Sequence, residues 1–142
     1  MKHDLMPGSI KLIPKGTSRT FDTGATRDTD HGKYDYEGFL SPLVLERFAE
    51  YMNKHRIQSD GNLRDSDNWT KGIPKTAYMK SGYRHFFDWW KEHRKLNTKD
   101  GLEEALCALM FNVMGYLYEH LKEKRETLDG GLSNMPGTRK GE

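Results

Sequence analysis

This sequence has little cysteine, no long apolar stretch and little net charge, and each shortage removes a class of protein. Cys107 is the one cysteine among 142 residues, so neither an internal disulfide nor a cysteine-based zinc cluster can form. The longest apolar run, residues 105–117, is interrupted by Asn112 and falls short of the roughly 18 to 20 residues that span a bilayer. With 23 Lys and Arg against 21 Asp and Glu, the net charge is only +2, so we expect neither a nucleic-acid nor a membrane partner.

Signal segments and common catalytic signatures are missing as well. The opening residues, MKHDLMPGS, contain no apolar segment of a secretory signal, so we expect a cytoplasmic protein. The sequence contains no GxxxxGK[ST], GxGxxG, HExxH or GxSxG motif. Aromatic residues make up 11% of the chain and supply large side chains for one core, so the length and composition favour a single folded domain.

Composition divides the chain into three predicted segments. Residues 1–40 hold many Gly, Thr and Asp without helical or strand periodicity, which predicts an extended N-terminal arm. This arm either lies over a functional site or forms an unstructured terminus, and the sequence leaves both readings open. Residues 41–126 form the predicted helical domain. Residues 127–142 contain a glycine pair and a proline, so we expect a flexible tail that frays.

The middle segment predicts an all-α bundle of three principal helices. The first begins at Pro42 after a capping Ser41 and carries an apolar stripe at spacings of three and four: Leu45, Phe48 and Met52. Residues 53–68 are polar and unpatterned, which predicts a long loop. The second helix begins at Ile73-Pro74, and its stripe is Met79, Tyr83, Phe86 and Trp90.

The third helix has the clearest pattern. Asp100 followed by Glu103 resembles a capping box, and a broad apolar face follows within LEEALCALMFNVMGYLYEHL. Because three helices of this size cover one another poorly, we expect a homo-oligomer, a dimer or a tetramer, to complete the core.

Acidic residues on these helices are the candidates for chemistry. Glu46 and Glu50 share one helix face, where two carboxylates repel unless a cation lies between them. Lys54, one turn further on, offers the alternative of a solvated ladder of opposite charges. A capping role is enough to explain an acidic residue at Glu103. Glu104 begins a helix face that also contains the small residues Ala108 and Gly115, and these leave room either for a ligand or for a close contact with another helix.

The second helix adds a mixed polar group beside its apolar stripe. Arg84 and Asp88 either pair at one-turn spacing or serve a site, and His85 is either structural or functional. Carboxylates on three helices in a cysteine-poor chain favour Mg²⁺ or Mn²⁺, ions that commonly serve phosphates. The available phosphate donors are Arg27, Lys33, Lys71, Lys75 and Arg84, while Asn68 and Trp69 offer an amide and a ring to a base.

The order of five motifs resembles a known family. GATRD, GKYDYEGFLSPLVLERFAE, NWTKGIP, SGYRHFFDWW and GLEEALCALMFN follow one another as in the phage-associated dATP/dGTP diphosphohydrolase family, over about residues 24–118. That family is similar to the all-α, MazG-like nucleotide pyrophosphohydrolases. The resemblance implies oligomeric helical bundles in which Mg²⁺ or Mn²⁺ activates water to split a purine deoxynucleoside triphosphate into monophosphate and pyrophosphate, or to release its phosphates stepwise.

Residue by residue, the resemblance implies a site. Glu50 and Glu104 become catalytic candidates, and the implied metal ligands are Glu46, Glu50, Asp88, Glu103 and Glu104. The implied nucleotide contacts are Arg27, Lys33 and Arg84 for phosphate and Asn68 and Trp69 for the base. Cys107 stands where the family pattern has an aspartate, which favours a nucleotide-binding module without turnover as an alternative. A small helical interaction protein that binds no nucleotide is the third reading.

Overall fold

The structure of this chain, a computed structural model, describes residues 18–133 and divides into two compact units, with the boundary in the sequence between Ser41 and Pro42. The first unit contains a short antiparallel hairpin, β1 (Ser18–Thr20) and β2 (Thr26–Asp28), closed by a turn in which Gly24 adopts φ of 85°. A one-turn helix, α1 (Tyr36–Phe39), follows. The predicted extended arm is therefore partly structured between residues 18 and 40, and its first 17 residues lie outside the described part.

The second unit is built from three principal helices, and this confirms the predicted all-α fold class. They are α2 (Pro42–Lys54), α3 (Lys75–His93) and α4 (Gly101–Ser133), with a 3₁₀ turn at Asn68–Lys71 before α3. The start of α2 at Pro42 agrees with the expected position. Across the described residues, no helix is both long enough and apolar enough to cross a membrane.

The third principal helix is longer than its sequence predicts. We expected a flexible tail from residue 127, but α4 continues to Ser133 through Gly130 and Gly131. A glycine costs a helix about 1 kcal/mol relative to alanine, and the preceding Glu, Lys, Arg and Leu residues are good helix formers that offset it. The part of the predicted tail after residue 133 lies outside the described residues.

The start of α4 also differs from the predicted capping box. Glu92, near the end of α3, accepts hydrogen bonds from the backbone amide and the hydroxyl of Thr98, and the Thr98 hydroxyl accepts one from the amide of Gly101. The carboxylate of Glu103 instead accepts a hydrogen bond from Arg47 on α2. Thr98 therefore links the end of α3 to the start of α4, and Glu103 links α4 to α2.

Small residues bring α3 and α4 into close contact. Gly82 packs against the side chain of Asn112, and Gly115 lies directly beneath the ring of Tyr78, which is only 2% exposed. Nearer the start of α4, Tyr51 from α2 packs with Cys107 and Ala108. The buried core therefore consists largely of small side chains around two tyrosines, while many large apolar side chains of α3 and α4 remain exposed.

We predict that Gly115→Ala lowers the free energy of unfolding by about 1–2 kcal/mol, because the new methyl group would overlap the Tyr78 ring and outweigh the better helix propensity of alanine. Gly130→Ala on the same helix is the control, since nothing lies within 4 Å of its new methyl group. This control should leave stability unchanged or raise it by up to about 1 kcal/mol. Urea unfolding followed by circular dichroism measures both, and equal effects would contradict the close contact.

Candidate functional site

Arg47 joins α2 to the first turn of α4. Its Nε donates to Glu103 Oε1 at 2.9 Å, and its Nη2 donates to Glu104 Oε1 at 3.1 Å. Glu104 Oε1 is also 3.5 Å from Lys54 Nζ, and Glu104 Oε2 is 3.7 Å from His55 Nε2. Glu104 is therefore the centre of a cluster in which two permanent cations and one histidine surround a single carboxylate.

These surroundings fix the ionisation of Glu104. Burial disfavours its charged form, but hydrogen bonds and charge attraction from Arg47 and Lys54 outweigh that cost and hold the pKa of Glu104 below its ordinary value. Burial, together with the negative charge of Glu104, raises the pKa of the neighbouring Tyr51 to about 12. At neutral pH, the site thus contains an ionised carboxylate beside a protonated phenol.

Glu104 lines a small concave surface that we call the acidic cleft. Its volume is about 50 Å³, and its polar lining comprises Tyr51, His55, His85, Asp88, Thr98, Asp100 and Glu104. Residues from all three principal helices and from the α3–α4 connection contribute to it. Two of the expected site residues, Asp88 and Glu104, therefore line the same cleft, and two histidines lie beside them.

A second concavity, the arginine pocket, adjoins the acidic cleft. It has a volume of about 220 Å³ and is lined by Tyr51, Met52, His55, Arg56, Arg64, Asp65, Ser66, Asn68, Trp69, Ile73 and Phe111. Tyr51 and His55 line both surfaces, so the cleft and the pocket share a wall. The arginine pocket offers the indole of Trp69 and the guanidinium groups of two arginines, which suit an aromatic ring and an anion. The acidic cleft, on the other side of the wall, offers carboxylates, which suit a cation.

A short turn positions the two arginines of this pocket. Ile57 and Leu63 form an antiparallel bridge, and Gly61 between them adopts φ of 82°. Arg56 Nε donates to the carbonyl oxygen of Arg64 at 2.8 Å, which ties together the two sides of the turn. The predicted unpatterned loop is therefore partly ordered as a hairpin that presents both arginines to the pocket.

Trp69 is held by aromatic neighbours. Its ring lies edge-on to Tyr118, with centroids 4.9 Å apart, and to Phe111, with centroids 6.4 Å apart. Trp69 and Asn68 belong to the 3₁₀ turn before α3, and both line the arginine pocket. The two expected base contacts thus share a pocket with cationic side chains.

The remaining expected residues lie elsewhere. Glu46 and Glu50 are exposed on α2, and neither lines the acidic cleft. Glu103 is engaged by Arg47 at an exposed edge. Arg84 lines another depression with Tyr83, Phe87 and Asp88, and only Asp88 also lines the acidic cleft. Arg27 in β2 and Lys33 belong to the first unit, and their phosphate contacts stay predictions.

The carboxylates do not form a ready-made metal cage. Between residues 18 and 133, no group of three or more His, Cys, Asp or Glu side chains is arranged to hold a metal ion. Magnesium, however, is usually bound by one or two protein carboxylates together with waters and the phosphates of a substrate. Glu104 and Asp88 in one cleft meet that smaller requirement, whereas the full predicted set of five ligands is not assembled.

Sequence reasoning missed the arginines and one carboxylate of this site. Asp60-Gly61 is a common turn pair, and Ile57 and Leu63 lie three residues before and three residues after Asp60, which indicates a hairpin that would bring Arg56 and Arg64 together. Asp100 was interpreted only as a helix cap, although it lines the acidic cleft. Cys107 is buried in α4, and this burial raises the pKa of its thiol above the ordinary value, so the thiol is unreactive.

Comparison with known proteins gives little further information. No protein-family model matches the chain, and no solved structure matches it. The chain is similar to the bone sialoprotein-binding protein of Staphylococcus aureus strain MRSA252 and to a protein of the same name from Staphylococcus aureus, with 27% identity over 117 residues in each case. The match covers 77% of this chain, but the chain spans only 10% of the length of those relatives.

We predict that Glu104→Gln lowers the free energy of unfolding at pH 7, because the variant loses the ionised partner of Arg47 and Lys54. Since the folded-state pKa of Glu104 is depressed, its contribution is present above the ordinary carboxyl pKa of about 4.3 and disappears as the pH falls through the lower folded value. The difference between variant and wild type should therefore shrink toward pH 3. Urea unfolding at both pH values tests this, with the exposed Glu126→Gln as control.

Proposed function

We propose that this protein binds purine deoxynucleoside triphosphates and hydrolyses them to monophosphate and pyrophosphate, or by stepwise release of phosphate, with Mg²⁺ or Mn²⁺. The observation that carries the proposal is the shared wall between the arginine pocket and the acidic cleft. The ordered motifs that resemble the dATP/dGTP diphosphohydrolase family support the same activity. A second copy of the chain is the other proposed partner, because many large apolar side chains of α3 and α4 remain exposed in a single chain.

The arginine pocket supplies the proposed binding groups. The Trp69 ring provides an aromatic surface for a purine, and the side-chain amide of Asn68 can hydrogen-bond to the edge of a base. Arg56 and Arg64 supply guanidinium donors suited to phosphate oxygens. At about 220 Å³, the pocket is smaller than typical whole-ligand sites, so the nucleotide must extend beyond it, along the wall formed by Tyr51 and His55.

The acidic cleft would receive the reacting phosphates. Glu104 and Asp88 would hold the metal ion that accompanies the triphosphate. When bound, such an ion neutralises charge on the phosphates and lowers the pKa of a bound water. His55 lies 3.7 Å from Glu104 and borders both surfaces, so it can orient an oxygen at the boundary between them. Tyr51 keeps its proton at neutral pH, so it can donate a hydrogen bond there.

A second candidate function is nucleotide binding without turnover. The observation in its favour is that Arg47 and Lys54 already neutralise Glu104, while Glu46 and Glu50 lie outside the cleft. A carboxylate that is paired with two cations attracts a metal ion less strongly than a free one does. Product analysis separates the two functions, because both predict affinity for nucleotide but only the first predicts release of pyrophosphate or phosphate.

We predict that the purified protein converts dATP or dGTP in the presence of Mg²⁺ or Mn²⁺, and that Glu104→Gln lowers the rate by orders of magnitude because it removes an ionised oxygen ligand. Glu126→Gln, an exposed position on the same helix, should keep the wild-type rate. Chromatography of the products gives the rates, and circular dichroism checks that the variants fold. Turnover by Glu104→Gln at the wild-type rate would remove Glu104 from the site.

The same assay decides between the carboxylates of α2 and α4. The family resemblance gives Glu50 a catalytic role, whereas the acidic cleft contains Glu104 and not Glu50. Loss of turnover in both Glu50→Gln and Glu104→Gln would mean that α2 supplies a second ligand when nucleotide is bound. Loss of turnover only in Glu104→Gln would mean that the essential carboxylate lies in the acidic cleft and that Glu50 is not required.

We predict that Arg64→Gln weakens the binding of dATP or dGTP by roughly tenfold, because one charge-assisted contact to phosphate is lost. Arg64 is exposed, so its replacement should not disturb the core. Arg125→Gln, an exposed arginine outside the pocket, removes the same charge and is the matched control. Calorimetric titration without divalent metal measures affinity in the absence of turnover, and equal losses in both variants would indicate a general charge effect instead of a site.

A further inference from the structure

One side of α3 carries aromatic rings and cations together. Phe87 and Trp90 are each 51% exposed, although both are large apolar side chains. Their cationic neighbours are exposed or half-buried, and spacings of three and four residues place the whole set along one side of the helix. We call this set the aromatic–cationic face; its members are Lys80, Arg84, Phe87, Trp90 and Lys91.

The rings and cations of this face lie close to one another. The Phe87 and Trp90 rings meet edge-on, with centroids 6.0 Å apart. Lys91 Nζ lies 5.7 Å from the centre of the Phe87 ring. Arg84 shares a surface depression with Phe87, and the other two residues that line this depression are Tyr83 and Asp88. A flat ligand on one of the rings would therefore have a cation beside it.

The cations of this face belong to a local excess of positive charge. Residues 75–95 contain six Lys and Arg against two Asp and Glu, a net charge of +4 in a chain whose total is +2. Within the described part of the chain, no ion pair involves Lys80, Arg84 or Lys91. The expectation of no nucleic-acid partner rested on the total charge, and the total does not show this uneven distribution.

We propose that the aromatic–cationic face binds single-stranded nucleic acid. Exposed rings stack on bases of any sequence, and Lys and Arg beside them contact the phosphates of the same strand. The face extends about 16 Å along α3 from Lys80 to Lys91, at 1.5 Å per residue. Because a stacked strand advances about 3.4 Å per nucleotide, this length accommodates roughly four or five nucleotides.

Other polyanionic partners fit the face less well. A duplex keeps the flat faces of its bases stacked inside, so it would offer phosphates to the cations but no base to Phe87 or Trp90. Helices that lie on a lipid surface present a broad apolar side, whereas this face combines two half-exposed rings with three cations. Charge complementarity and stacking together therefore favour an unpaired strand.

This binding surface is separate from the proposed nucleotide site. None of its five residues lines the acidic cleft or the arginine pocket. None of them lines the apolar groove between α3 and α4 either, so a second copy of the chain seated in that groove does not need these residues. A failure of strand binding would leave the nucleotide proposal standing, and the reverse also holds.

The test is fluorescence anisotropy of a labelled oligo-dT of about 15 nucleotides, titrated with the full chain in EDTA. An abasic strand with the same number of phosphates is the control ligand, because it has no bases to stack. Oligo-dT should bind at least about fivefold more tightly than the abasic strand. If three cations contact phosphates, an increase in salt from about 50 to about 200 mM should weaken the binding of oligo-dT roughly 20-fold.

Two variants separate the rings from the cations. Trp90→Ala should weaken the binding of oligo-dT at least about fivefold and leave its salt dependence unchanged. Arg84→Gln combined with Lys91→Gln should weaken binding at about 50 mM salt by at least about tenfold and should also reduce the salt dependence. Lys124→Gln combined with Arg125→Gln is the matched control, because it removes the same charge from two exposed positions on α4.

Several outcomes would overturn the proposal. They are no binding of oligo-dT at up to about 100 µM protein, equal affinities for the two strands, and equal losses in the double variant and its control. Displacement of the strand by excess dATP would place it in the arginine pocket and not on α3. Binding to phosphatidylserine vesicles, with none to oligo-dT, would identify a lipid surface as the partner. If circular dichroism shows that a variant does not fold, the comparison of oligo-dT with the abasic strand decides.

Discussion

The close contact between α3 and α4 is the constraint on which the second unit depends. Gly115 gives the Tyr78 ring a place against α4, and Gly82 allows the two backbones to approach at Asn112. This contact fixes the direction of α4, so that Ala108 and Cys107, nearer the start of the helix, pack with Tyr51 of α2. The close contact at Gly82 and Gly115 thereby determines both where the core lies and which apolar side chains stay exposed.

The geometry of the candidate site depends on the same contact between α3 and α4. With α4 fixed, Glu104 in its first turn faces Arg47, Lys54 and His55 at the other side of the α2–α4 contact. Tyr51 takes part in the core and also separates the acidic cleft from the arginine pocket. The site is therefore an edge of the hydrophobic core, and the electrostatics of Glu104 depend on packing as much as on its charged neighbours.

The sequence was most informative where the periodicity of one helix decides the outcome. Pro42 marks the start of α2, and the all-α class follows from three amphipathic patterns. It was less informative where the partner lies far along the chain: Glu103 resembled a capping residue, but its carboxylate meets Arg47. The hairpin before the 3₁₀ turn was missed because its strands are too short for alternation to be visible, and the end of α4 was misplaced because two glycines outweighed the helix formers before them.

The hairpin that carries Arg56 and Arg64 is largely self-contained. Its sides are held by the Ile57–Leu63 bridge and by the bond from Arg56 to the Arg64 carbonyl, and Asp60 accepts two hydrogen bonds from Asn62 within the turn. Such a segment can change in length or charge without repacking the helices. The charge that Arg56 and Arg64 bring to the arginine pocket is thus encoded in a stretch of the chain separate from the helices that form the core, so this charge can change during evolution while the helix packing stays the same.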